Sequence, residues 1–136
     1  MRELDDEIGK SGIAVRFVTI GSQRKAEDYC ARHNPAALCI GDADKHTYKA
    51  MGLGDFDLTK LTTTPELLER RNQNQAAGFR QDWAATRIWD AAQNPGAAVL
   101  DANGIVRWIH RGRHPGDLPP MRELFAHAQT ALGAAR

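Results

Sequence analysis

The spacing of apolar and polar positions changes along this chain, and each change marks an element. From Met1 to Lys10, Met1, Leu4 and Ile8 fall on one helical face, and Gly9 and Gly12 bring that helix to an end. Ala14-Val15-Arg16-Phe17-Val18-Thr19-Ile20 is β-branched and aromatic with little alternation, as expected of a strand covered on both sides. Gly21 ends it. Ser22 is a good N-cap for a helix whose Ala26, Tyr29, Cys30 and His33 share one face. Asn34-Pro35 stops that helix, and Ala37-Leu38-Cys39-Ile40 follows as a short buried strand. Strand, helix and strand in this order predict a right-handed unit with two parallel strands.

Asp42 or Asp44 is placed to cap a short helix carrying Tyr48 and Met51, closed by Gly52 and Gly54. Residues 55–93 read as a helical insertion with too few large apolar residues for a core of its own. Within it, 55–64 is a loop, and Thr63 or Thr64 caps a helix with Pro65 near its first position. Glu66 and Glu69 face the positive end of that helix. Asn72 to Ala77 is polar and weakly patterned. A further helical piece sets Phe79 and Trp83 one turn apart, with Ile88 and Trp89 beyond. Near the end, Asp117 starts a last helix with Pro119 and Pro120 in its first turn. Met121, Leu124, Phe125, Ala128 and Leu132 form its apolar face.

The most readable stretch is Asn94 to His110. Two apolar, β-rich runs flank Asp101-Ala102-Asn103-Gly104, where Asp and Asn bond local backbone and Gly accepts the positive φ of a type I turn with a bulge. A β-hairpin follows. Pro95 stands just ahead of its first strand, where it breaks no ladder.

Pro95, the run Ala97 to Leu100, Asp101 and Gly104 resemble the hairpin of redoxin-type thioredoxin-fold proteins. The flanking segments Gly78-Phe79-Arg80-Gln81, Asp90-Ala91-Ala92-Gln93 and His110 to Pro119 extend the likeness. Together they resemble the peroxiredoxin-like branch of the alkyl hydroperoxide reductase/thiol-specific antioxidant family. The resemblance implies an α/β fold, a thioredoxin-like mixed sheet with flanking helices, formed by residues 1–136 as a single domain. It also implies thiol-dependent reduction of peroxides or disulfides, supported by a thiol electron donor protein. In that family the reactive cysteine lies on the turn between the first core strand and the next helix. Met1 to Lys10 corresponds to the end of that helix, so the first core strand and the reactive turn are expected to be missing. That strand sits centrally in the family, so its loss is expected to leave strand edges that invite a homo-oligomer.

Composition narrows the field further. The 136 residues are 42% hydrophobic and 26% charged, ordinary for one soluble globular domain. A formal net charge of +1 supplies no field to recruit nucleic acid or an anionic membrane. The apolar runs fall well short of a membrane span, and the charged N-terminus does not resemble a signal peptide. Two cysteines make no disulfide framework, so the cytoplasm is the expected location.

Candidate chemistry is sparse. Cys30 lies late in a helix and Cys39 inside a strand, so both are expected to be buried and inert, with the pair a weaker redox candidate. Pro95 is the family's groove residue and is often cis there; here both isomers stay open. Many peroxiredoxins carry an arginine near this strand, and none enters it here. Arg107, His110, Arg111, Arg113 and His114 form a basic group, usually a solvated strand end. Arg111, Arg113 and His114 are its candidate anion contacts. The histidines lack metal-ligand spacing, and no metal or other cofactor is expected. Trp83, Trp89 and Trp108 read as core or partner-facing anchors.

Three functions are consistent with these residues. The first is a redoxin-family oxidoreductase inactive as it stands, for want of the reactive turn. The second is a redox-inactive binding module using the groove around Pro95. The third is an enzyme using Cys30 or Cys39 in a new way.

Overall fold

The computed structural model describes residues 2–33, 37–57, 65–77 and 92–134. Expectations for Met1, Asn34-Pro35, Thr63, Thr64, Phe79, Trp83, Ile88 and Trp89 lie outside the described residues, as do those for Gly78–Gln81 and Asp90-Ala91. The chain is mixed α/β, built of helices and small sheets. In order come α1 (Arg2–Ser11), β1 (Arg16–Thr19), α2 (Gln23–His33), β2 (Leu38–Gly41) and α3 (His46–Ala50). They are followed by α4 (Pro65–Ala76), β3 (Gly96–Leu100), β4 (Val106–Arg111) and α5 (Met121–Ala134).

Two apolar clusters hold these elements. Leu4 and Ile8 of α1 meet Phe125 of α5, with Ile13, Val15 and Met121 packed around them. Ser11 closes α1 by donating to the Ile8 carbonyl at 2.6 Å and accepting the Ile13 N–H at 3.1 Å. The second cluster is Ala26 and Cys30 of α2 with Cys39 of β2, flanked by Phe17 and Ala37.

β1 and β2 pair in parallel, Arg16 opposite Leu38 and Thr19 opposite Gly41, as the strand–helix–strand pattern predicted. The covering is one-sided, however. Cys39 faces α2, while Leu38 is 52% and Ile40 39% exposed on the opposite face. The expectation of strands covered on both sides fails because a helix lies over one face only of this pair among the described residues.

α2 approaches β2 more closely than helix and strand usually do. The Ser22 hydroxyl caps it by accepting the Lys25 N–H at 3.2 Å. The Gln23 side chain then acts as a short extra strand on β2. It donates to the Cys39 carbonyl at 3.0 Å and accepts the Gly41 N–H at 2.8 Å. On the other strand, the Tyr48 hydroxyl of α3 donates to the Val18 carbonyl at 3.0 Å. The bare edge expected along the Ala14–Ile20 strand is therefore met by a side chain at Val18. Asp42, one of the two cap candidates, accepts the His46 and Thr47 N–H groups at 2.9 and 2.8 Å and so starts α3.

β3 and β4 form the expected antiparallel hairpin, separate from the β1–β2 pair among the described residues. Gly104 has φ +79° and donates its N–H to the Asp101 carbonyl at 3.0 Å. The register shifts after Val99, which faces Trp108 while Leu100 faces Val106, leaving Arg107 as the extra residue of a bulge. The two ends of the 55–93 insertion meet at its base. Asp55 bridges Gln93, the Phe56 N–H donates to the Ala92 carbonyl at 2.7 Å, and Asn94 N–H to Gly54 at 3.0 Å.

Two helix boundaries differ from expectation. α4 starts at Pro65 as predicted but runs on through the polar stretch to Ala76. Straight-chain Gln and Arg suit a helix well, and Gln73 donates to Glu69 one turn earlier at 3.3 Å. α5 begins at Met121, four residues after Asp117. The Asp117 carboxylate is taken by Arg113, and the two prolines have no N–H to donate; the Pro120 carbonyl accepts the first helical N–H groups instead.

Two substitutions test this geometry. Gly104→Val should cost about 1 kcal/mol or more, because a β-branched side chain opposes positive φ. A Cβ at Gly41 would lie 2.5–2.7 Å from the Ser22 and Gln23 backbone. Gly41→Ala should therefore cost about 1–3 kcal/mol by forcing α2 away from β2. Denaturant melts of both variants give the values, and unchanged midpoints would refute both assignments.

Candidate functional site

The cysteines occupy one place. Cys30 projects from the covered face of α2 and Cys39 from the covered face of β2, with their Cα atoms 5.9 Å apart and their sulfurs joined in a disulfide. Both are buried, at 5% and 2% exposure. Burial agrees with the sequence reading; two separate inert thiols do not. The bond closes a chain separation of nine residues around the α2–β2 connection. A signal for this pairing was present in the sequence. A strand–helix–strand unit lays the apolar helix face on the strand, and Cys30 and Cys39 each belong to the facing surface.

The second candidate region surrounds Pro95. The Asn94–Pro95 peptide is trans. Pro95 is half-buried, and its carbonyl accepts the Gly112 N–H at 2.8 Å, which draws the loop after β4 across the start of β3. Beside it Asn94 is buried, and its Oδ1 has no hydrogen-bond partner among the described residues. Nothing in the sequence singles out Asn94.

The basic group does not form one cluster of free cations. Arg107 is bound to Asp101 through Nε at 2.8 Å and Nη2 at 2.6 Å. Arg111 donates from Nε to the Met51 carbonyl at 2.6 Å, tying β4 to the end of α3. Arg113, 80% exposed at its side chain, reaches Asp117 Oδ2 from Nε at 3.3 Å, and its backbone N–H donates to the same oxygen at 2.8 Å. His110 Nε2 lies 2.9 Å from the Asp117 carbonyl and 3.5 Å from its Oδ1. His114 is buried at 8% exposure. Its Nδ1 accepts the Gly116 N–H at 3.2 Å, which leaves the proton on Nε2, 3.3 Å from Glu66 Oε2. Phe56 meets the same imidazole edge-on at 6.4 Å. Trp108 stacks on His127 of α5 at 4.4 Å and more distantly on His110 at 6.4 Å, an anchor between the hairpin and α5.

The carboxylates at the centre of these contacts are shifted. Asp101 is held below the usual carboxylate value, chiefly by the Ile105 N–H and then by Arg107. For Asp117, burial acts to raise the carboxyl, but the Arg113 N–H and guanidinium and the charge of His110 together outweigh it, so the net shift is downward. A cavity of about 300 Å³ lies between α1 and the start of β1, lined by Asp5, Ile8, Ile13, Val15, Arg16 and by Ala37, which also flanks the cysteine cluster. Among the described residues no group of three or more His, Cys, Asp or Glu is placed to hold a metal ion. No described helix is long and apolar enough to cross a membrane.

The family model described as AhpC/TSA antioxidant enzyme matches residues 1–114, and the chain belongs to that family. No curated protein and no solved structure matches it.

The lowered carboxyls fix a sign. A carboxyl whose folded pKa lies below its unfolded value stabilises the fold fully above the unfolded value, roughly pH 4, and that stability is lost as pH falls through the lowered folded value. Asp101→Asn should therefore melt lower than the native chain at pH 7. The gap should close as both are acidified below about pH 4. A gap that stays constant from neutral to acid pH would mean the charge on Asp101 does not matter.

Proposed function

We propose that this chain is a redoxin-family domain serving thiol-dependent antioxidant chemistry, and that its own 136 residues do not reduce peroxide. One observation carries this reading: the sequence has two cysteines, and both are spent on a single buried disulfide. A peroxide-reducing thiol must be an exposed thiolate, since the thiolate is the nucleophile. On this reading the family's reactive thiol comes from outside these residues. The β1–β2 pair and the hairpin belong to one thioredoxin-like sheet completed by a further strand, supplied by the protein's own chain or by a second copy. The thiol donor is a partner protein, and Arg111, Arg113 and His114 flank the approach to Pro95.

A second reading rests on Asn94. Its buried Oδ1 is unpartnered among the described residues, and a ligand N–H beside Pro95 would satisfy it. That favours a redox-inactive binding module using the groove around Pro95.

The two readings share an expectation that is simply tested. Peroxide consumption by the chain, supplied with a thiol donor, should match buffer. Turnover that disappears in Cys30→Ser or Cys39→Ser would overturn both and make this cysteine pair the catalytic centre.

A further inference from the structure

We infer that the Cys30–Cys39 bond is a reversible clamp, which a dithiol reductant opens in the folded protein to release the end of α2 from β2. The inference goes beyond the proposed function, and it stands whether or not the domain serves peroxide chemistry.

The packing between α2 and β2 is what singles out this bond. α2 has 11 residues, too few to be stable alone, so contacts must hold it. Its buried face consists of Ala26 and Cys30. Tyr29, the largest apolar side chain on the helix, is 37% exposed, and its ring lies tilted at 45° beside His33 of the same helix at 4.7 Å. On the sheet side, Phe17 and Ala37 are only partly buried. A contact between small side chains returns little apolar burial. The first turn is fastened by Gln23 and by the close approach at Gly41, so it stays docked without the sulfurs. The last turn is fastened by the disulfide. Segments held by few buried apolar contacts open locally well below the cost of global unfolding.

The exchange balances as follows. One thiolate of the reductant attacks Cys30 Sγ, the less buried residue of the pair at 5% exposure against 2%. The S–S bond breaks, and Cys39 leaves as a thiolate that takes a proton from water. The second thiol of the reductant, deprotonated to water, attacks the mixed disulfide and expels the Cys30 thiolate, which is then protonated. Two electrons pass to the protein, and the dithiol becomes a disulfide. This is stoichiometric, one dithiol per chain, and involves no peroxide.

The test uses the full chain, dithiothreitol as the dithiol, native buffer, alkylation by iodoacetamide with mass detection, and amide hydrogen exchange. Before reductant the chain should take up no alkyl group, and after it, two. Exchange should rise about tenfold or more at the end of α2 and in β2, while the β3–β4 hairpin keeps its protection. Oxidised dithiothreitol should restore both readings. The double variant Cys30→Ser, Cys39→Ser should show the loosened pattern with and without reductant. A bond that survives until the hairpin also loses protection would make the disulfide a fixed staple and overturn the clamp. Alkylation at both cysteines before reductant, or full α2 protection in the double variant, would overturn it equally.

Discussion

The contact between the first turn of α2 and the outer edge of β2 is the constraint on which much of the fold depends. Gly41 has no side chain, so the Ser22 and Gln23 backbone can lie against the strand. That closeness brings the Gln23 carboxamide into register with the Cys39 carbonyl and the Gly41 N–H. It also sets the face of the helix, so that one turn later Ala26 is fully buried and a further turn on Cys30 reaches Cys39. A two-stranded parallel pair has little stability of its own and needs a helix across it. Here the helix covers one face of the pair and blocks one of its edges.

The hairpin meets the rest of the chain differently, through charge and aromatic contact. Its tip is organised by one carboxylate, since Asp101 accepts two turn N–H groups and the Nε and Nη2 donors of Arg107. Its base is organised by another, since Asp117 holds the Arg113 backbone and side chain and faces His110. Net charge near zero thus hides a pattern of local pairing. Exposed ion pairs contribute little each. The contacts to backbone N–H groups fix loop shape, and that is what Asp101 and Asp117 chiefly supply.

The sequence was most legible where one residue type has few alternatives. Gly104, Pro65 and Ser22 sit in the turn, helix start and cap that their chemistry demands. The parallel pair and the hairpin followed from β-branched runs and turn residues. Legibility failed where a side chain takes a partner distant in sequence. Asp117 looks like a helix cap until Arg113 claims it, and Arg111 looks like a free cation until the Met51 carbonyl accepts its proton. Gln23 and Tyr48 carry no sequence signal for binding strand edges, because any polar residue fits a solvated helix. Burial preference alone predicts Cys30 and Cys39 to be inert, whereas the helix–strand pattern sets them face to face.

Stability is spread unevenly over this architecture. The α1–α5 cluster unites Leu4, Ile8 and Phe125 with three further apolar residues, large side chains that return substantial burial. The α2–β2 cluster unites an alanine and two sulfurs beside Phe17 and Ala37. Removing a covalent link from the first kind of cluster would leave apolar contact to hold the elements. Removing it from the second leaves a short helix, one turn of which is fastened by Gln23. A disulfide matters most to conformation where burial is weakest, and here the bond lies in the weaker of the two clusters. In a family defined by thiol chemistry, that position ties the oxidation state of two sulfurs to the docking of one helix, with the hairpin and the larger core left outside the coupling.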